Sequence, residues 1–217
     1  FTLEEHDRED ANQEYVLIST TINATQEKYN VEFSAVPATV NLRPDIKTEK
    51  PLIHGYEVGI VVGSDGEEIW TDEYGRVKVQ FYWDQLGENN ENSSCWIRVA
   101  QMWAGKGYGT MFIPRMGMEV VVSFLCGDPD RPLVIGTVYN AEQTIPYAMP
   151  DNQTRSTIKT WSSKEGEYGN ELRFEDLIDE EEILLLAQKD LQVHVKNDYM
   201  TVVKANRQTF VQKPDDT

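Results

Sequence analysis

The amino-acid sequence predicts a mainly β protein with two kinds of β architecture. Runs in which apolar and polar residues alternate recur along the chain, bounded by Gly, Asn, Asp and Pro, whereas helical periodicity is scarce. The middle of the chain carries five such runs, enough for one small barrel. Residues 188–211 repeat with a period of eight. We therefore expect a barrel followed by a repetitive β segment.

The composition is that of a folded chain with an acidic surface. Its 217 residues, 40% of them hydrophobic, can bury a core in one large or two small domains. Asp and Glu outnumber Lys and Arg by 37 to 20, which gives a net charge of −17. Because a protein that neutralises phosphates needs the opposite balance, nucleic acid and anionic lipid surfaces are disfavoured partners.

The start of the chain and its cysteines bear on its origin. Phe1 opens the sequence without a methionine, which favours a segment of a longer polypeptide. A bilayer-spanning apolar run and a signal-peptide profile are both missing from the sequence, so we expect a soluble protein without Sec-dependent export. Cys95 and Cys126 are too few for a disulfide framework and lack metal-ligand spacing, so we expect free, buried thiols in a reducing cytoplasm.

The first 50 residues predict one hairpin of a larger sheet. Strand patterns run from Tyr15 to Ile22 and from Lys28 to Val36, and Tyr29, Val31 and Phe33 alternate onto one face. Proline cannot donate a backbone hydrogen bond, so the prolines that follow should end the sheet and mark a domain boundary. They are Pro37, Pro44 and Pro51.

Residues 51–140 predict a five-stranded OB-fold barrel. The strand patterns are Glu57 to Val62, Arg76 to Trp83, Trp96 to Gln101, Glu119 to Leu125 and Leu133 to Tyr139. In the second pattern one set of alternating residues should pack inside: Val77, Val79, Phe81 and Trp83. The other set should meet solvent or a partner: Arg76, Lys78, Gln80 and Tyr82. Turn residues at 72–75 and 127–130 fix the register locally.

Residues 141–187 are expected to be a connecting neck, polar at first and then acidic, and a repeat follows at 188–217. Three octads align as 188–195, 196–203 and 204–211, each ending in valine. Eight residues hold one strand and a turn, too little to bury their own apolar face, so the octads must stack on one another or on other chains. We expect an intertwined β-helix or β-prism of identical chains, and three chains would give a three-walled prism. The residues expected in its core are Val193, Val195, Val202, Val203, Phe210 and Val211.

Several motifs of the barrel region occur together in one known family. They include Gly66-Glu67-Glu68-Ile69, Gly75-Arg76-Val77-Lys78-Val79, Ser94-Cys95-Trp96-Ile97-Arg98-Val99 and Gly127-Asp128-Pro129-Asp130-Arg131-Pro132. The combination resembles the VgrG family of type VI secretion spike proteins and the related central spike of contractile phage tails. The first 50 residues are similar to the end of that family's hub, a phage-hub-like β-barrel.

The resemblance implies a homotrimer that works mechanically. Its hub would dock on the tail-tube protein, its prism would carry a tip cap or effector protein, and sheath contraction would drive it through a target membrane. It would assemble in the bacterial cytoplasm and then be injected into the target cell. A secretion system and a phage tail both remain open, as does the effector. Two features depart from phage spikes: Asn197, Ala205 and Lys213 stand where glycine is common, and no lysozyme domain follows Asn140.

Candidate metal and acid-base groups have simpler interpretations. His6, His54 and His194 are dispersed, so neither a metal site nor a cofactor is expected within one chain. A threefold axis could gather three copies of His194, but packing or solvent exposure is favoured. Asp128 and Asp130 suit a turn better than a glycosidase pair. The acidic groups Glu67-Glu68 and Glu180-Glu181-Glu182 suit solvated loops.

The remaining candidates also lack the context for chemistry. Gly105, Gly107 and Gly109 lack nucleotide-loop spacing and predict a mobile connection. Ser94-Cys95-Trp96 has no nearby histidine, so packing is favoured over a nucleophile and no catalytic residue is expected. An OB-fold binder of single-stranded nucleic acid is the rival, with these stacking platforms: Trp83, Trp96, Trp103 and Tyr108. The charge opposes it.

Overall fold

The computed structural model describes residues 1–211, which fall into two compact units. The first runs from Phe1 to Pro51, and the second begins at Leu52. The regular structure is nearly all β, so the predicted fold class is confirmed. Within the described residues, no helix has the length and apolar character needed to cross a bilayer.

The first unit is built around one antiparallel hairpin. Strand β1 (Tyr15–Ala24) pairs with β2 (Tyr29–Pro37), as the alternation predicts. The ring of Phe1 stacks on Tyr15 at 5.5 Å and meets Phe33 edge-on at 5.4 Å. Most apolar side chains of the hairpin nevertheless lie exposed, including Val16, Leu17, Ile18, Ile22 and Tyr29. An isolated two-stranded sheet is only marginally stable in water, which favours further strands beside this hairpin. The larger sheet stays a prediction.

A closed five-stranded barrel begins the second unit. Its region contains β3 (Tyr56–Val62), β4 (Lys78–Phe81), β5 (Arg98–Val99), β6 (Ala104–Gly105), β7 (Tyr108–Gly109), β8 (Glu119–Phe124) and β9 (Pro132–Val138). The barrel strands follow the order β4-β3-β8-β9-β5, with β5 parallel to β9. The two edges meet where Val77 and Ile97 exchange backbone hydrogen bonds of 2.9 and 2.8 Å. This order and closure are those of an OB barrel.

The barrel core consists of alternating side chains from all sides. On β8, Val120, Val122 and Phe124 are buried while the residues between them are partly exposed. Six more residues complete the cluster: Val61, Val77, Val79, Phe81, Ile97 and Val134. Their removal from water is the main stabilisation of this unit.

Three expectations about side-chain exposure are wrong. Gln80 is buried, because the following loop folds over it and its amide donates to the Asp84 carbonyl at 3.0 Å. Trp83 lies beyond the end of β4 and is exposed, although it stacks on Phe81 at 5.3 Å. Cys95 and Cys126 are free but exposed rather than buried.

A second sheet stands where only a connection was expected. Strands β10 (Arg155–Lys159), β11 (Glu171–Glu175) and β12 (Glu182–Leu186) form an antiparallel three-stranded sheet in chain order. Gly105 to Gly109, expected as a mobile connection, contain the tight hairpin of β6 and β7. Gly107 supplies its positive φ of 81°.

Candidate assembly surface

The octad repeat is visible in the backbone. Bends occur at residues 188–189, 196–197 and 204–205, and the six residues after each bend carry neither helix nor turn. The spacing between bends is the eight-residue period of the sequence, in the same register. Each octad therefore has room for one six-residue strand and one change of direction.

The six predicted interface residues lie exposed in the single chain. Their exposed fractions run from 47% at Val195 to 85% at Val211. No strand partner from the same chain is assigned to this segment within the described residues. An exposed group of six apolar side chains is typical of a surface that contacts another molecule. Their place in a trimer core stays a prediction.

Neighbouring residues of the octads cannot all serve one face. Successive side chains of a strand point to opposite sides, so Val203 and Val202 belong to different faces. The eighth octad position holds Val195, Val203 and Val211, and the seventh holds His194, Val202 and Phe210. Which of these two rows would face an axis stays a prediction.

The bends do not require the glycine common in phage spikes. Asn197 and Ala205 each lie at a bend, and neither has a positive φ. An L residue with a side chain is therefore accommodated without strain. Lys213, the third of these positions, lies outside the described residues, as do all residues from 212 to 217.

A polar network covers one face of the β10–β12 sheet. The ring of Tyr147 lies 5.0 Å from the guanidinium carbon of Arg155, 5.3 Å from the ammonium of Lys159 and 5.9 Å from the guanidinium carbon of Arg173. Cations near an aromatic face are attracted by its electron density. The Tyr147 hydroxyl donates a hydrogen bond to the carboxylate of Glu171.

Glu171 is the buried acid of this network, with 6% of its surface exposed. Burial raises the pKa of Glu171. Hydrogen bonds from Tyr147 and Thr157 and the charges of Lys159 and Arg173 lower it by a larger amount, so the pKa lies below its ordinary value. The Thr157 hydroxyl donates to Glu171 at 2.9 Å. The network is thus a structural device that holds the carboxylate ionised.

Ion pairs extend the same face. Arg173 pairs with Glu182 at 2.5 Å and Arg155 with Glu175 at 2.8 Å. Glu182 belongs to an acidic group expected to be a solvated loop, so that expectation is wrong for this residue. Its carboxylate instead joins β12 to β11.

The loop after β10 is tied to a barrel loop. Lys164 pairs with the Glu67 carboxylate at 2.9 Å and donates to the Gly66 carbonyl at 3.0 Å. The Glu165 backbone amide donates a hydrogen bond to the Glu68 carboxylate. This hydrogen bond, together with one from the Ser163 side chain, lowers the pKa of Glu68. Glu67 and Glu68 therefore serve a contact, and their interpretation as a merely solvated loop is wrong.

The other candidate groups have structural hydrogen bonds. Asp128 accepts from the Asp130 amide at 3.0 Å, as a turn requires. Ser94 accepts from the Val79 amide at 3.0 Å and donates to the Cys95 carbonyl at 2.7 Å. His194 is exposed and lies 3.3 Å from the Gln192 amide oxygen. Among residues 1–211, no cluster of three His, Cys, Asp or Glu could hold a metal ion.

Of the four aromatic residues of the rival interpretation, Trp83, Trp103 and Tyr108 are exposed, and Trp96 is half-buried. The Lys78 ammonium lies 5.0 Å from the centre of the Trp96 ring. Trp103 meets Tyr108 edge-on at 5.6 Å, at the β6–β7 hairpin.

The sequence did not indicate Tyr147 or Glu171, the centre of the main polar network. Only the alternation of charge along 155–159 and 171–175 could have signalled it.

Two family models match successive parts of the chain. Residues 58–139 match the type VI secretion system and phage-baseplate injector OB domain. Residues 156–217 match the C-terminal trimerisation domain of bacteriophage T4 gp5. The first range covers the barrel except the first two residues of β3, and the second covers the octads and the β10–β12 sheet except Arg155.

Curated relatives match over most of the chain. The type VI secretion system spike protein VgrG1b of Pseudomonas aeruginosa is 47% identical over 91% of this chain and 28% of its own length. VgrG3 of Vibrio cholerae, also named a spike protein, is 40% identical over 97% of this chain and 22% of its own length. The actin cross-linking toxin VgrG1 of Vibrio cholerae is 40% identical over 98% of this chain and 20% of its own length. The chain thus spans about a quarter of these relatives, and it belongs to the VgrG family of type VI secretion spike proteins.

Proposed function

We propose that this chain is a structural component of the homotrimeric, membrane-puncturing spike of a type VI secretion system. The observation that carries the proposal is the eight-residue period of bends inside the segment that matches a trimerisation domain. Residues 1–50 would be the end of the hub, 51–140 the OB domain, 141–187 the neck and 188–217 the start of the prism.

The partners follow from these positions. The hub end would dock on the tail-tube protein, and the prism end would carry a tip cap or an effector. The spike would assemble in the bacterial cytoplasm and enter the target cell when the sheath contracts. The names of the spike-protein relatives support this role.

The proposed role of these residues is mechanical rather than catalytic. Ser94 and Asp128 are engaged in turns and strand contacts, and Glu171 is held ionised by its donors. A general acid needs the opposite, a raised pKa. One relative is named an actin cross-linking toxin, and this chain covers 20% of it. We assign the spike segment, and not that toxin activity, to these residues.

The solution mass tests the proposal. Light scattering after size exclusion should give three times the 24.9 kDa chain mass, about 74.7 kDa. Val203→Asp should reduce the mass to that of one chain, because a carboxylate would be buried at the axis. Val40→Asp is the matched control, since Val40 is 50% exposed against 49% for Val203 and lies outside the octads. A normal trimer in Val203→Asp would contradict the octad core.

A spike of a phage tail baseplate is the alternative, because the matched OB domain is described for both systems. Mass spectrometry of the source cells distinguishes them: a secretion spike should appear among secreted proteins, and a phage spike in purified particles. Tight binding of an oligothymidine at physiological salt would instead favour the nucleic-acid rival.

A further inference from the structure

The β6–β7 hairpin of the barrel region presents apolar side chains to solvent. Met102, Trp103, Tyr108 and Met111 are between 63% and 80% exposed, and Phe112 is 50% exposed. A cluster of exposed apolar side chains on a soluble domain is typical of a surface that contacts another molecule. We call these five residues the hairpin surface.

The hairpin surface is held in place by contacts of its own. The Gln101 side chain donates to the Phe112 carbonyl at 3.1 Å and accepts from the Phe112 amide at 2.9 Å, which fixes the base of the hairpin. The Tyr108 ring lies over Gly105, where an added Cβ would be 2.3 Å from the ring's Cζ atom. Trp103 meets the same ring edge-on. A partner would therefore meet a preformed surface, and little free energy would be lost in ordering it.

An open cleft of about 460 Å³ adjoins the hairpin surface. It is lined by Tyr74, from the turn at 72–75, and by residues of the hairpin. The two acids of that turn, Asp72 and Glu73, lie within the electrostatic reach of Arg76. The cleft has the volume of a pocket for a small ligand, so it has room for a side chain of a partner.

The stretch that contains the hairpin differs in charge from the rest of the chain. Residues 92–118 contain no Asp or Glu and three cations, Arg98, Lys106 and Arg115, whereas the rest of the chain carries a charge of −20. Four of the six methionines of the chain also lie in this stretch. Aromatic residues, Met and Arg are enriched in the cores of protein interfaces, and Asp and Glu are depleted there. The composition therefore indicates a protein interface, and its charge favours an acidic partner.

A different protein is the occupant that these observations favour. The match to the trimerisation domain begins at residue 156, so the hairpin lies outside the segment that matches it. Methionine side chains adapt to partners of different shape, which suits a surface that meets other proteins. Single-stranded nucleic acid is disfavoured, because the charge of −20 outside the stretch would repel a polyanion.

We propose that the hairpin surface binds an acidic polypeptide segment of another protein. Apolar side chains of that segment would pack on Trp103 and Met111, one of them in the cleft beside Tyr74, and its carboxylates would lie near Lys106. The proposed function places its partners at the hub and prism ends of the spike. The hairpin surface is an additional contact on the barrel, and it does not depend on the number of copies.

Fluorescence anisotropy with two labelled peptides tests the proposal. In one peptide Glu alternates with Phe and Leu, and in the other Lys replaces every Glu. The Glu peptide should bind the unaltered chain, and Lys106→Glu and Trp103→Ala should each weaken this binding by at least about tenfold. The Lys peptide should instead bind Lys106→Glu more tightly than the unaltered chain.

Lys28→Glu is the matched control for the charge reversal. Lys28 is exposed, like Lys106, and it also lies in the turn of a two-stranded hairpin, between β1 and β2. It carries the same change of charge away from the hairpin surface. Lys28→Glu should therefore bind the Glu peptide like the unaltered chain.

Methionine oxidation of the unaltered chain by hydrogen peroxide, measured by mass spectrometry, supplies a second test that no folding defect can affect. Met102 and Met111 are 80% and 78% exposed, so they should react freely without peptide and several times more slowly with the Glu peptide. Met149, which is 52% exposed and lies outside the hairpin, should react equally in both conditions.

Four results would overturn the proposal. They are failure of the Glu peptide to bind, equal binding of it by Lys106→Glu and Lys28→Glu, tighter binding of an oligothymidine than of the Glu peptide, and protection of Met102 and Met111 before any peptide is added. The last result would mean that another copy covers the hairpin. The octad trimer is tested separately by its mass in solution.

Discussion

The guanidinium of Arg115 donates a hydrogen bond of 2.7 Å to the main-chain carbonyl of Trp161, which lies 46 residues further along the chain. Arg115 precedes barrel strand β8, and Trp161 follows strand β10. Together with the contacts of Lys164 to Glu67 and Gly66, this bond joins the barrel to the β10–β12 sheet. The position of the sheet is therefore set by side-chain contacts in addition to the linker.

We predict that Arg115→Ala weakens this junction. The loss of one charge-assisted hydrogen bond should lower the free energy of unfolding by about 0.5–1.5 kcal/mol. Urea denaturation followed by tryptophan fluorescence measures it. Arg98→Ala is the control, because the Arg98 side chain is exposed on barrel strand β5. Equal losses in the two variants would show that the Arg115 contact does not stabilise the junction.

We predict that Tyr147→Phe destabilises the β10–β12 sheet. The substitution removes the hydroxyl donor of a carboxylate that is only 6% exposed, while the ring remains near its three cations. A buried acceptor that loses one of its donors costs about 1–3 kcal/mol. Thermal unfolding should show a lower Tm. An unchanged Tm would mean that water replaces the hydroxyl without loss.

The hydrogen bond between Tyr147 and Glu171 predicts that the free energy of unfolding depends on pH. Because the pKa of Glu171 in the folded state lies below its ordinary value of 4.5, its ionised form stabilises the fold above that pH. This stabilisation is lost as the pH falls through the folded pKa. The difference in unfolding free energy between the unaltered chain and Tyr147→Phe should therefore be largest above pH 4.5 and shrink below it. A difference that grows on acidification would contradict the assignment.

The sequence pattern predicted the barrel but not the β10–β12 sheet, because the two differ in which side chains are buried. In the barrel the apolar side chains of each strand are the buried ones, so Val77 and Val79 indicate their strand correctly. In the β10–β12 sheet Glu171 is buried, whereas Ile183 and Leu185 are exposed in the single chain. Acidic residues between 165 and 182 then indicate a solvated connection. The alternation in these strands is thus the reverse of the pattern by which periodicity identifies a half-buried strand.

Gln80 shows the same limit on a smaller scale. Its place in the alternation of β4 predicts an exposed amide. The loop that folds over it satisfies the side chain through the carbonyls of Asp84 and Phe81, at 3.0 and 3.3 Å. Long-range cover by a loop has no local sequence signal, so periodicity alone could not have found it.

We predict that Ile97→Ala strongly destabilises the barrel. Ile97 is 1% exposed and forms the backbone bridge to Val77 that closes the sheet. Truncating a buried isoleucine to alanine costs about 2–5 kcal/mol, because a cavity remains. Ile135→Ala is the control, since Ile135 is 42% exposed on β9. Urea midpoints that fall equally in both variants would contradict the placement of the core.

We predict that Gly59→Ala damages the barrel through a steric clash. An added Cβ at Gly59 would lie 2.5 Å from Cγ1 of Val79 and 2.6 Å from the carbonyl oxygen of Gln80. The carbonyl cannot move away without disturbing the β3–β4 ladder, so the cost should be about 1–3 kcal/mol. Urea denaturation measures it.

Gly136→Ala is the matched control for this substitution, because an added Cβ at Gly136 meets no atom within 4 Å. Gly136 also lies in a barrel strand and has no positive φ. Its replacement should leave the urea midpoint unchanged or slightly raised, since alanine loses less backbone entropy than glycine on folding. If Gly59→Ala were as stable as Gly136→Ala, strands β3 and β4 would have to lie further apart than the 2.6 Å between the added Cβ at Gly59 and the Gln80 carbonyl oxygen implies.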